Sequence, residues 1–430
     1  MSKWLAAVAV VVVATGCNFG TAAQTCTGNE QCQSAATPGG RCEPGVGLCS
    51  FPDTNCDSGW RFGGLAGGQS EQCTSGPGQP GPVHDAAIDA RPDAPPDALF
   101  CYGTGVVKIC LATPPTASFT TVVPTTINTT NASQCASVVS GGEGYCVIAA
   151  TTITVGGVLT ATGSKPLVLL ASQSIMTTAT IDVASHRGAS ETIGAGADSP
   201  QCDAGTPPSS NGGGGGAGGS FTGSGGPGGA TFIGGSTGGA AGAAVAEVTA
   251  LRGGCPGQDG EGVNKGVRGH GGGAVFLIAG TSITIGGAIL AAGEGGAGGV
   301  ASISGGGGGG SGGMIGFDAP TINVSRLLLA SGGGGGEGSN QNTLSGDPGA
   351  DPTTRNPAAG GSRLGFAGGD GGIGSTPTAA GAGGGGTAGT ASNGSFGAGG
   401  GGGGGAGIIT APQAATATFA DTSPTVTRTP

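Results

Sequence analysis

The chain has 430 residues, of which 103 are Gly, with charged residues at 9%, aromatic residues at 4% and a formal net charge of −10 at pH 7. So few aromatic anchors exclude one conventional globule over the whole length, while the aliphatic patches and modest charge argue against a fully disordered chain. The acidic balance, without clustered Lys and Arg, excludes a nucleic-acid backbone as partner, because neutralising phosphates requires such clusters.

Residues 1–16 carry one cation, Lys3, and then an apolar run over 4–14. That run is far short of the ~20 residues a membrane-spanning helix needs, and it fits the hydrophobic part of an export signal. Ala14-Thr15-Gly16 leads directly into Cys17. The string resembles the lipobox of bacterial lipoproteins, departing from it at Ala14, where Leu is more usual. The resemblance implies lipidation of Cys17 as the mature N-terminus, a membrane held through that lipid, and, from Asn18 beside it, the outer membrane. The alternative is an ordinary signal peptide with Cys17 in a disulfide.

Residues 17–25 then form a short tether. Thirteen cysteines are an odd number, and setting Cys17 aside leaves twelve for six bridges in an oxidising compartment. They fall in even groups: Cys26, Cys32, Cys42, Cys49, Cys56 and Cys73; Cys101, Cys110, Cys135 and Cys146; Cys202 and Cys255. Connectivity stays open. The 26–73 segment is too small to fold by burial alone and depends on its bridges. It contains no C-x2-C pair and no His, which argues against zinc. Its string Cys49-Ser-Phe-Pro-Asp53 through Cys56-Asp-Ser-Gly-Trp60-Arg61-Phe62 resembles a Cys-rich module of myxobacterial surface lipoproteins, to which no enzymatic role attaches. Residues 74–100 read as a linker, with Asp85, Asp89, Asp93 and Asp97 at every fourth position and Pro92, Pro95 and Pro96 forbidding a helix.

From 101 to 430 the chain is predicted to be mainly β. Stretches 105–111 and 119–127 read as a cap. One eleven-residue pattern then occurs three times, as ITVGGVLTATG (153–163), ITIGGAILAAG (283–293) and INVSRLLLASG (322–332), with a variant at 175–185. A recurring segment that cannot bury its own apolar face must stack on its copies, which is the logic of a solenoid. Ile153, Val155, Ile283, Ile285, Ile322 and Val324 are the predicted stacking residues. A short apolar strand precedes each motif (167–171, 274–279, 314–319), the 22-residue step from Ile153 to Ile175 suits one turn, and a degraded last coil over 407–419 suits a terminal cap.

The Gly tract 305–313 running into Met314-Ile-Gly-Phe, and the string 291–299, resemble those of Gly-rich bacterial surface proteins with a right-handed parallel β-helix. The resemblance implies a right-handed parallel β-solenoid with long Gly-rich insertions, preceded by the small disulfide-rich module. The longest tracts, 212–229 and 360–407, are either flexible loops or bundled polyglycine-II helices; a collagen triple helix is excluded because no strict Gly-X-Y frame survives. Cys202 and Cys255 flank one Gly-rich insertion.

Only His84, His186 and His270 offer near-neutral bases. Arg268-Gly-His270-Gly resembles the Gly-His-Gly element of β-helical polygalacturonases. That family also needs paired Asp residues and an Arg-x-Lys element, whereas Asp182 and Asp318 are isolated in sequence, so His270 is predicted to match by composition alone. G-x-G-x-x-G strings are inevitable in Gly tracts, and Asp370 is a single acid where calcium-binding repeats need one per repeat. No catalytic residue, cofactor or metal is therefore assigned.

The sequence predicts a non-enzymatic, lipid-anchored protein of the cell outer membrane, periplasmic or surface-exposed, displaying a structural or adhesive surface. Envelope or extracellular polysaccharide, or other surface proteins, are its expected partners. The alternatives are a β-helical polysaccharide-processing enzyme using His270, and a low-complexity decoration without specific binding.

Overall fold

The computed structural model describes residues 25–33, 39–43, 46–76, 79–80, 99–188, 191–210, 212–232, 234–341, 343–364, 367–392 and 395–430. The signal-like segment, Cys17, His84 and the Asp-rich part of the linker lie outside them. The chain divides into two units, Met1–Pro96 and Asp97–Pro430.

In the first unit, β1 (Arg41–Glu43), β2 (Leu48–Pro52) and β3 (Trp60–Phe62) form an antiparallel meander. Its apolar interior is little more than Leu48, Phe62 and Ala66. Bridges Cys26–Cys42, Cys32–Cys49 and Cys56–Cys73 supply what burial cannot. Each closes a loop of 16 or 17 residues, a constraint worth about 3 kcal/mol. Glu43 is buried, with the Arg41 guanidinium at 2.6 Å and the Ser50 hydroxyl donating at 2.5 Å.

The second unit is built on a large parallel sheet, and its strands fall into three ladders. The first pairs 146–150 with 167–171, then 274–278 with 314–318, and on to Ile408–Pro412 and Val426–Thr429. The second runs from Phe119–Thr121 through 152–155, 174–177, Ser282–Ile285, 321–324 and 416–419. The third follows Thr125–Asn128, Leu159–Thr162, Ile181–Asp182, Ile289–Leu290, 328–329 and 422–423.

The repeats fix this register. Ile153 faces Ile175, which faces Ile283, which faces Ile322, so like residues stack at every step. Second-ladder strands alternate buried and solvent-facing positions, and Ile153, Val155, Ile283, Ile285, Ile322 and Val324 are all buried in one core with Leu169, Leu277 and Phe317. First-ladder strands are buried on both faces: Ala274–Ala279 is buried at all six positions. Their outer face carries Val168, Leu170, Phe276 and Met314 against Val107, Ile109, Phe221 and Leu251. That is why these strands read as unbroken apolar runs rather than alternation.

The Gly-rich segments leave the third ladder and return to the first, at Gly273-Ala274, Gly313-Met314 and Gly407-Ile408. Between those points they are ordered. In the segment 304–313, every N–H from Gly305 to Gly313 donates to a neighbouring segment in a threefold repeat. Gly305, Gly308 and Ser311 donate to Glu261, Gln258 and Cys255; Gly306, Gly309 and Gly312 to Gly399, Gly402 and Gly405; Gly307, Gly310 and Gly313 to Ala297, Glu294 and Ala291. Carbonyls of the same segment accept from three further neighbours, through Gly266, Gly269 and Gly272, through Gly216 and Gly219, and through Gly333, Gly336 and Ser339.

Three residues per turn with no internal hydrogen bonds is the polyproline-II geometry, here surrounded by six like segments at N···O distances of 2.7–3.0 Å. Of the two sequence readings of these tracts, the bundled one holds; the insertions do not bulge outward as loops. Bridge Cys202–Cys255 ties the edge of the array, and Cys101–Cys110 and Cys135–Cys146 lie at the start of the unit. Among the described residues no helix is long and apolar enough to cross a membrane.

Close packing leaves no room for side chains. A Cβ on Gly308 would lie 1.9 Å from the Ala217 carbonyl oxygen, whereas one on Gly105 would meet nothing within 4 Å. Gly308→Ala is expected to destabilise the unit at the upper end of the ~1–3 kcal/mol range for overpacking or beyond it, with Gly105→Ala near neutral. Urea unfolding of the two variants against the parent measures the contrast.

Candidate functional site

The third-ladder strand Ile181–Asp182 ends at Asp182, and the chain then passes along one margin of the glycine array. Charged side chains are scarce in this protein, yet eight of them gather here. His186 sits four residues after Asp182 and places Nε2 3.1 Å from its carboxylate, with Asp351 Oδ2 4.0 Å from the other ring nitrogen. His270 faces Asp198 through Nδ1 at 2.5 Å and Glu191 through Nε2 at 3.3 Å, while its own backbone N–H donates to Glu294 at 3.0 Å. Arg187 lies 2.9 Å from Glu294, and its backbone N–H donates to Asp351. Asp351 accepts a second backbone N–H from Gly295, and Asp198 one from Gly271.

The electrostatics follow from these partners. The hydrogen bond to Asp198 raises the pKa of His270, against the opposing effect of burial, with the charges of Asp198, Glu294 and Glu191 adding to the rise. Asp182 does the same for His186. Glu294 is fully buried, and burial raises its pKa despite the His270 N–H and the Arg187 charge. Arg187 nevertheless stands at ion-pair distance, so this carboxylate has a cation beside it.

Chemically this is a lattice of alternating charges. A general base needs a ring nitrogen free to take a proton, and both nitrogens of His270 face carboxylates. The ligand atoms of Glu191, His270 and Glu294 lie within 4.8 Å of one another, a spacing a metal ion could bridge. The Arg187 guanidinium and the imidazole already supply the positive charge there. A second close group, Cys26, Cys32 and Cys42, consists of sulfurs committed to disulfides. A cavity of about 530 Å³ opens beside Asp198 and Arg268. Two of its carboxylates are engaged: Asp203 accepts from Gly205 and Ala243, and Asp259 accepts from the Arg268 N–H and faces Lys265 at 3.1 Å.

His270, read from the sequence as a composition-driven match to a Gly-His-Gly element, has Asp198, Glu191 and Glu294 converging on it. Asp182, isolated in sequence, is a partner of His186. Asp318 is used elsewhere, accepting the Thr104 backbone N–H at 2.5 Å. Asp198, Glu191, Glu294, Asp351 and Arg187 gave no sequence signal as a group, since 72 residues separate Asp198 from His270 and 164 separate Arg187 from Asp351. The one available hint was that acids interrupting Gly tracts must each have a backbone donor to satisfy. Searches against protein-family models, curated proteins and solved structures found no match.

A second buried carboxylate, Glu337, lies within the array and accepts the backbone N–H groups of Asp347 and Arg363. Burial pushes its pKa up to about 7.

Two pH effects follow, of different form. The His270 pKa is raised above its ordinary 6.5, so its ion pairs contribute fully below that value and are lost as pH rises through the raised one. The stability lost in His270→Gln should be largest near pH 5.5 and shrink toward pH 9, read as the difference in urea midpoints. For Glu337, folding favours the protonated form, so stability falls as pH rises from the ordinary 4.5 to about 7. The fall is up to about 3 kcal/mol. Glu337→Gln should remove that part of the slope.

Proposed function

We propose that the protein is a non-enzymatic, lipid-anchored component of the cell envelope, attached through Cys17 to the outer membrane. Its C-terminal unit acts as a rigid β-solenoid presenting a structural or adhesive surface. The solenoid reading is supported by three parallel ladders that take up the same successive stretches of chain in the same order. The resemblance to right-handed parallel β-helices gives its handedness.

The observation that carries the display reading is the packed array. Hydrogen bonds on all sides of the 304–313 segment make the unit stiff along its length, and stiffness serves presentation rather than turnover. The same packing weighs against low-complexity decoration. Pairing of both His270 nitrogens weighs against the polysaccharide-processing reading. Six disulfides among the described residues favour an exported, oxidising location.

Mass spectrometry of the mature protein is expected to find diacylglycerol-modified Cys17 at the N-terminus, and Cys17→Ser should move the protein from the membrane pellet to the soluble fraction. An unmodified N-terminus, or membrane attachment that survives the substitution, overturns the anchor. Turnover of an acidic polysaccharide that disappears in His270→Ala overturns the non-enzymatic assignment.

A further inference from the structure

The outward side of the second ladder repeats a chemistry that the inward side does not require. Register places two columns there. One is Thr152, Ser174, Ser282, Thr321 and Thr416. The other, two residues further along each strand, is Thr120, Thr154, Met176, Thr284, Asn323 and Thr418. Nine of these eleven positions are Ser or Thr, and none is charged, in a chain of net charge −10. Spacing is about 4.8 Å from rung to rung and about 6.7 Å between columns, from strand geometry.

The hydroxyls on this face are uncommitted. Thr418 donates to Asn323 at 2.9 Å. Among the described residues the other eight hydroxyls make no hydrogen bond within the chain. Elsewhere in the unit hydroxyls are put to use: Ser185, Ser220, Ser304, Ser311 and Ser375 each accept a backbone N–H in or beside the array. Among the described residues no other segment of the Asp97–Pro430 unit covers the face: every one of the eleven positions is half-buried or exposed, Met176 at 48%.

We propose that this face binds a neutral polysaccharide, laid along or across the rungs. The proposal rests on the display reading and names its ligand class. An open sheet face whose positions are all half-buried or exposed does not enclose a single small molecule, but a periodic polymer can engage successive rungs and add weak contacts into useful avidity. Absence of charge on the face, and the net acidity behind it, disfavour an anionic polymer. A protein partner would be expected to find aromatic or Arg anchors, and these columns contain neither. Thr methyl groups and the Met176 side chain offer C–H surface beside hydroxyl donors and acceptors, the same mixture that a pyranose ring presents. Met176 also interrupts one hydroxyl column at its middle, which suits a sugar chain better than a strict water lattice.

The test uses full-length mature protein co-sedimented with insoluble cellulose, chitin and a β-1,3-glucan, with polygalacturonate resin and ice as comparison surfaces. Retention on at least one neutral polymer is expected, unaffected by 1 M salt. Thr154→Glu/Thr284→Glu should lower it at least tenfold, Thr154→Val/Thr284→Val several-fold, and Val263→Glu/Val267→Glu, which adds equal charge on exposed residues of the array, not at all. The valine pair retains β propensity, so it reports binding even if the glutamates perturb the strands. No retention on any neutral polymer, equal retention of all variants, or retention only on polygalacturonate or only on ice overturns the proposal. Lipidation of Cys17 is scored in the same preparations. A lipidated protein that binds nothing sinks this inference alone, and an unlipidated one that binds sinks the anchor alone.

Discussion

A buried backbone must have its N–H and C=O groups paired, and almost everything in the Asp97–Pro430 unit follows from how that demand is met with so few side chains. The usual answers are helix and sheet. Here one continuous chain uses sheet where apolar residues are present and a lateral array of extended glycine helices where they are not. Each glycine helix bonds only to its neighbours, so neighbours must come close enough for N···O distances near 2.9 Å. That approach admits no Cβ at most interior positions, as the added-atom distances of about 2 Å across 305–313 show. Composition is thus a packing requirement and not a sign of looseness.

Two costs are set against this arrangement, and the structure contains a response to each. Glycine loses more conformational freedom on folding than other residues, by roughly 0.5–1 kcal/mol relative to Ala. Part of that loss is offset because the extended left-handed conformation is already well populated in unfolded chains. The second cost falls at the array margins, where a segment has no neighbour on one side. There Ser and Asp side chains accept the orphaned N–H groups: Ser375 from Gly332 and Asp351 from Gly295. The His186–His270 cluster belongs to the same economy. Acids recruited to terminate backbone bonds need countercharges, and two histidines and Arg187 provide them.

How far this was legible in the sequence depends on the range of the interaction involved. Ile153, Ile283 and Ile322 announced their stacking because each carries the pattern locally, and the doubly buried first ladder announced itself as apolar runs such as Leu167-Val-Leu-Leu-Ala. The even cysteine groups likewise anticipated bridges confined within each group. The order of the glycine tracts was not legible, since a glycine helix has no local signature that separates it from a flexible loop; only partners such as Gly306 and Gly399, 93 residues apart, distinguish them. For the same reason Asp198 and Asp351 could not be assigned to the histidines. Their positions are set by the array's lateral packing, which no local pattern in the tract encodes.

The two halves of the unit therefore have different relations to their surroundings. Within the glycine array, hydrogen-bonding capacity is turned inward and spent on cohesion, and the charged groups at its edge are partnered with one another. On the second ladder, the inward column of Ile, Val and Phe supplies cohesion through burial, which frees the outward column from any structural duty beyond β propensity. Thr and Ser satisfy that propensity unequally, Ser being the poorer strand former. Ser174 and Ser282 in adjacent rungs are therefore not explained by strand stability alone. Hydroxyl chemistry is the property they share with Thr152, Thr321 and Thr416, and it is on this shared chemistry that the proposed polysaccharide face rests.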